Sequence, residues 1–166
     1  MEWSIRPLCA PIPAQPAPKK TGGQEAQALG RSRGGFSTKI HVTVDGLGNP
    51  LRLAVTAGQA ADLHEAIPLV EGFAFERLIA DRGYAAQAFY DWVVAQEMEP
   101  VIPPHQRAKG ALAERPYDRW WYRERHLVEC FINKIKHFRR VFSRYDKLAG
   151  RFLGFLQFVS SLIWLR

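Results

Sequence analysis

Cysteine and methionine are scarce in this chain of 166 residues, with two of each. Cys9 and Cys130 lie far apart, so the sequence has neither the close, even spacing of a disulfide-stapled secreted domain nor a C-x-x-C metal pair. A reducing, cytoplasmic setting is the default reading. A secretory leader is missing too, because Glu2, Arg6 and Pro7 interrupt what would have to be an apolar core. Long hydrophobic runs are absent. The most apolar stretch, Phe152 to Leu165, contains Gln157, Ser160 and Ser161 and falls short of the roughly 20 apolar residues of a membrane span, so it reads as a buried closing helix. Acid is in deficit as well: 16 Asp and Glu stand against 23 Lys and Arg, for a net charge of +7. An anionic partner, most often nucleic acid, follows from that balance. What is present is 47% apolar residues, enough for a packed core and against a wholly disordered or collagenous chain. The length is that of one domain.

Residues 1–30 differ from the rest. Pro7, Pro11, Pro13, Pro16 and Pro18, followed by Lys19, Lys20, Gly22 and Gly23, read as a leader without a helix or a central strand. From Phe36 the pattern alternates: Phe36, Thr38, Ile40, Val42 and Val44 take one face, and Leu51, Leu53 and Val55 repeat the alternation after the turn-rich Asp45 to Pro50. This predicts a hairpin. A helix is expected from Asp62, with Glu65 completing a capping box, to Gly72. A short buried strand should cover Arg77 to Ala80 and end at Asp81-Arg82-Gly83. Ala85 to Val93 has helical spacing, residues 100–104 are extended, and one long helix is expected over 117–142. Its apolar stripe is Val128, Phe131, Ile135, Phe138 and Phe142. A last helix starts near Lys147. This order of strands and helices is an α/β alternation.

Two carboxylates are placed specifically by these patterns. Asp81 closes a buried strand. Glu129 sits in the long helix, where Tyr122, Arg125, Glu129 and Lys136 fall within about 60° of one another on a helical wheel. Each also has an ordinary reading: Asp before Gly is common in strand-end turns, and Glu129 is a natural surface partner for Arg125 four residues earlier. His126 and His137 have no zinc-ligand spacing with supporting cysteines and read as core or surface histidines.

Four segments together carry a family resemblance: Gly30-Arg-Ser-Arg-Gly-Gly-Phe-Ser-Thr-Lys-Ile-His41, Thr56-Ala-Gly-Gln59 with Asp62, Ala80-Asp-Arg-Gly-Tyr84, and the helix motif Tyr122, Arg125, Glu129, Lys136. They resemble the DDE transposases of bacterial insertion sequences, in the insertion-sequence-five group. The helix motif is similar to the Y-R-E-K signature at every spacing, and the tail Arg139 to Lys147 also resembles the family. The resemblance implies an RNase H-like fold in which three acids hold two Mg²⁺ (or Mn²⁺) ions. Asp81 would be the second catalytic and metal-binding acid and Glu129 the third. It further implies that Tyr122, Arg125, Lys136, Arg139 and Arg140 contact DNA, that the partners are the terminal inverted repeats and target DNA, and that paired subunits, a homodimer, act on paired ends with no membrane involved.

One part of the pattern departs from the family. The first acid should close the first strand, yet residues 1–30 contain no Asp. The expectation is therefore an α/β, RNase H-like core lacking its first strand, divided into a Pro-rich leader over 1–30 and a partial catalytic domain over 31–166. Codons compatible with Cys9 to Lys20, read in a shifted frame, resemble the family's stretch after its first Asp. Lys19-Lys20 falls where an A-rich slippery run would lie, so this is read as a second reading frame. Two functions remain open: a two-metal transposase that cleaves and joins DNA strands, and an inactive DNA-binding fragment that acts as an inhibitor. The charge suits both. Arg119 to Arg151 holds ten Lys or Arg against Glu124, Glu129 and Asp146, a difference equal to the whole net charge of +7.

Overall fold

Ten residues carrying three prolines, Ser4–Pro13, form the first strand, β1. The computed structural model describes residues 4–14, 26–32, 35–106, 108–110 and 114–165. After β1 come β2 (Gly30–Ser32), β3 (Gly35–Val44) and β4 (Pro50–Ala57). A 3₁₀ turn over Asp62–Glu65 runs into α1 (Ala66–Val70), and β5 (Arg77–Ile79) leads to a second 3₁₀ turn at Arg82–Tyr84. Then follow α2 (Gln87–Ala95), β6 (Glu99–Val101), α3 (Arg119–Arg123), α4 (His126–Lys136), α5 (Arg139–Phe142) and α6 (Ala149–Trp164). The result is a mixed α/β sheet with β1 at its centre. β3 runs antiparallel to β1, and β4 and β2 run antiparallel to the far edge of β3. On its other side β1 pairs in parallel with β5, and β5 with β6.

The expectation that residues 1–30 hold no strand, and that the sheet lacks its first one, is corrected for residues 4–13. The physical reason lies in the parity of the prolines. Ala14 N–H donates to Phe36 O at 2.9 Å, and the register pairs Ile12 with Thr38 and Ala10 with Ile40. Even-numbered residues of β1 therefore direct their N–H groups at β3, since bonded pairs alternate along an antiparallel ladder. Pro7, Pro11 and Pro13 are all odd, so their missing N–H groups fall on the opposite edge. There β5 pairs only with Ser4 and Ile5, ahead of the first proline. Proline is tolerated in a strand where no ladder bond is lost. Residues 15–25, which carry Pro16, Pro18 and the Lys19-Lys20 pair, lie outside the described residues.

The sheet separates two cores. On one face Ala10, Ile12, Ile40, Val42 and Val44 pack against Val128, Phe131, Ile132 and Ile135 of α4 and Phe152, Leu156 and Val159 of α6. On the other, Leu78, Ala80 and Tyr84 pack against Leu69 and Val70 of α1 and Phe89 and Val93 of α2. The hairpin, the strand at 77–79 and the α2 region match the alternation in the sequence.

The single long helix expected over 117–142 is instead three. It is interrupted around Glu124 and Arg125, and again at Phe138, whose backbone is extended with φ −78° and ψ 105°. Phe138 stays partly packed on the first core, while Phe142, continuing the same stripe beyond the break, is 55% exposed. The capping box at Asp62 is also absent. Ala61 occupies the cap position, and the Asp62 carboxylate instead accepts from Lys39 Nζ at 2.7 Å.

Two buried polar side chains, one charged and one neutral, brace the sheet. Arg144, buried with φ +41°, donates to Thr38 Oγ1 and to the Gln27 carbonyl, joining β3 to the turn at 26–28. Burial lowers its pKa to about 10, which still leaves it charged at neutral pH. His41 is fully buried on β3, with Nε2 2.7 Å from Thr56 Oγ1. Burial pushes its pKa down to about 4, with Asp62 opposing the shift and Lys39 reinforcing it.

Two consequences are measurable. Ala10→Pro puts a proline at a bonded parity and should lower unfolding stability by about 1 to 3 kcal/mol, the cost of an unmade buried ladder bond, whereas Pro11→Ala should change it by under about 1 kcal/mol. Equal losses in denaturant titrations would contradict the parity. His41 is neutral in the folded protein but binds a proton near pH 6.5 when unfolded. Its contribution to stability is therefore complete above about pH 6.5 and falls as pH drops toward 4, by about 3 kcal/mol in all. His41→Gln should lack that part of the acid loss, and identical pH profiles for the two proteins would refute it.

Candidate active site and nucleic-acid interface

Leu78, Ile79 and Ala80 are buried in the sheet, so the chain emerges from β5 with Asp81 as the first partly exposed residue. Its carboxylate caps the following 3₁₀ turn by accepting from Arg82 N at 2.7 Å, and buried Tyr84 anchors that turn in the second core. The turn is also buttressed from the side. A Cβ at Gly83 would come within 3.3 Å of Asp62 Oδ2, and Asp62 is itself held by Lys39. The motif residue Asp62 thus supports the loop that carries Asp81.

The second wall comes from α3 and α4. Asp118 caps α3, accepting from Trp120 N at 2.7 Å and Trp121 N at 3.2 Å. That fixes the following turn so that Tyr122 OH donates to Asp81 Oδ1 at 3.2 Å, with Tyr117 edge-on against the Tyr122 ring at 5.5 Å. Burial, together with the nearby Asp81 charge, raises the Tyr122 pKa, so the phenol stays protonated and donates. The Arg125 guanidinium lies 5.9 Å from the Tyr122 ring centre and pairs with Glu129 Oε1 at 2.7 Å. Asp81, Tyr122, Arg125 and Glu129 are therefore joined by an unbroken series of contacts. Glu129, in the first turn of α4, has a side chain 49% exposed.

The other expected DNA contacts stand apart from this group. Lys136 is seven residues beyond Glu129, about 10 Å along the helix axis. Arg139 and Arg140 lie past the break, in α5. Arg140 is engaged by Asp146 through two bonds of 2.7 and 2.8 Å, which hold the Arg140 pKa up and the Asp146 pKa down. Arg139 lies over the Tyr145 ring at 5.9 Å. His126 and His137 are exposed. The sequence reading missed the cap made by Asp118, although an Asp just ahead of Arg119-Trp120-Trp121 is a cap signal. It also missed Arg77, whose guanidinium lies 4.3 Å from the Trp121 ring centre while bonding Glu99, a pairing across strands that no local pattern reveals.

The donor chemistry suits a hard divalent cation. Carboxylate oxygens are the preferred ligands, and such ions are commonly held by one or two carboxylates completed by phosphate and water. The two hydrogen bonds that Asp81 accepts among the described residues both fall on Oδ1. Among the described residues no group of three His, Cys, Asp or Glu is placed to hold a metal. No helix among the described residues is long and apolar enough to cross a membrane.

Comparison with known proteins agrees with this chemistry. The profile of a family described as "Transposase DDE domain" matches residues 11–161. The chain is also 33% identical over 135 residues to a protein of Brucella ovis named "Putative transposase for insertion sequence element IS6501", an overlap covering 79% of this chain and 100% of that relative.

Proposed function

Since the chain belongs to the transposase DDE domain family, enzymes that move DNA segments by cutting and joining strands, we propose that Asp81 and Glu129 are its catalytic acids and that the wall from Tyr122 to Lys136 receives the DNA end. The observation that supports this reading is the contact series from Asp81 through Tyr122 and Arg125 to Glu129, which links residues 48 positions apart in the chain. The fold is read as RNase H-like. Its support is the strand order, with β4, β3 and β1 antiparallel and β1, β5 and β6 parallel.

In this reading Asp81 and Glu129 would hold Mg²⁺ or Mn²⁺, which when bound would supply Lewis-acid chemistry at the scissile phosphate and the attacking oxygen. The side chains then divide the remaining work. Tyr122, protonated at neutral pH, fixes the Asp81 carboxylate by donating to Oδ1. Arg125 offers a planar fork for a phosphate. When it turns from Glu129 to the DNA it frees the second carboxylate, so substrate entry and site assembly are coupled. Lys136, a compact point charge two turns along α4, meets a phosphate further down the strand, as do Arg139 and, after leaving Asp146, Arg140. The ligands are terminal inverted repeats and target DNA, bound by a homodimer in the bacterial cytoplasm.

A second reading, a fragment that binds DNA ends without cutting them, is favoured by one observation: residues 1–30 contain no Asp to act as a further acid. The experiment that separates the two uses the full chain with Mn²⁺ and a duplex ending in the insertion sequence's terminal repeat. Strand cleavage that falls at least about 100-fold in Asp81→Asn and in Glu129→Gln, with binding retained, establishes the catalytic reading. Binding without cleavage establishes the fragment, and cleavage indifferent to both substitutions overturns the site.

A further inference from the structure

Trp120 is the most exposed tryptophan among the described residues, at 61%. It is nonetheless fixed in place. Its backbone N–H donates to the Asp118 cap, and its ring stands edge-on to Trp121 with centroids 4.8 Å apart. Trp121 lies against the Arg77 guanidinium, and Arg77 Nε donates to Glu99 Oε2 at 2.5 Å. An outward indole is thus anchored, through two further side chains, to β5 and β6. No residue of α3 is buried, so the hydrophobic core makes no use of this ring.

The surroundings of the indole identify its partner. Arg119 and Arg123, both exposed, bracket Trp120 on α3. A rigid aromatic face between two guanidinium groups matches the repeating chemistry of a nucleotide, a flat base flanked by phosphates. A base within a duplex has its faces covered by its neighbours, so the ring suits a base that is unpaired. Trp120 and Tyr122 are two residues apart, about 160° around the helix. The base on Trp120 is therefore not the nucleotide at Asp81 but one flanking it. We propose that Trp120 is a stacking platform for an unpaired base beside the DNA end. This rests on the DNA-binding reading above and adds to it a preference for ends with single-stranded nucleotides.

The test compares two duplexes of one sequence, one blunt and one with a three-nucleotide overhang carrying 2-aminopurine, titrated with the full chain. The wild type should bind the overhang duplex more tightly and change the 2-aminopurine emission. Trp120→Ala should weaken overhang binding about 5- to 150-fold, the range expected for one base stacked on an aromatic ring, and leave blunt binding within about twofold. Trp120→Phe should keep most of the preference. Equal wild-type affinity for both duplexes, or equal loss on both in Trp120→Ala, would overturn the platform while leaving DNA binding intact. No binding to either duplex would overturn the underlying DNA reading as well.

Discussion

The pairing of β1 with β3 is the contact on which the rest of the molecule depends. It is an eight-residue register, Arg6 with Val44 through Pro13 with Ser37, and it joins the antiparallel half of the sheet to the parallel half that ends in Asp81. Without it, β5 has β6 as its remaining strand partner, and the floor beneath α4 loses Ala10 and Ile12. A segment rich in proline can occupy this place because the prolines share one parity. The ladder is satisfied on the side where it is long and missing N–H groups on the side where it is short. Composition alone argues against a strand here. Position within the ladder reverses that argument, and the ladder is a property of the fold rather than of the segment.

The candidate site is built from the same logic of elements brought to one sheet end. β5 delivers Asp81 out of a buried run, the Lys39 and Asp62 pair supports the turn from the side, and α3 and α4 supply a wall from Tyr122 to Glu129. Two exposed ion pairs occupy guanidinium groups proposed to meet DNA: Arg125 with Glu129 in that wall, and Arg140 with Asp146 beyond the break at Phe138. Such exposed pairs are individually weak, so in the proposed complex phosphates would displace them at little cost, favoured by the net charge of +7.

Legibility in the sequence followed the range of the interaction. The hairpin and the short strand before Asp81 were readable because alternation is local, and, with Tyr122 set apart on α3, the Arg125 to Lys136 spacing was readable because helical phase is local. The breaks at Glu124 and Phe138 were not, since the apolar stripe runs through both and the second is set by how Phe138 and buried Arg144 lodge against β3 and α6. Asp62 illustrates the same limit: its cap signal is genuine, but Lys39, 23 residues away, takes the carboxylate instead. The motif singled out Asp81 and Glu129 as the candidate acids. It did not reveal Asp118, Arg77 or Trp121, the side chains that hold α3 in reach of Asp81.

In the proposed site Asp81 and Glu129 both face divalent metal at the DNA end. Iron(II) substituted there, followed by peroxide, cleaves the protein backbone within a few ångströms of the ion, and the cut sites can be mapped by mass spectrometry. Cuts are expected in the same sample around Asp81 and around Glu129, both suppressed by excess Mg²⁺. Cuts near one carboxylate only, or cuts elsewhere in the chain, would rule that site out.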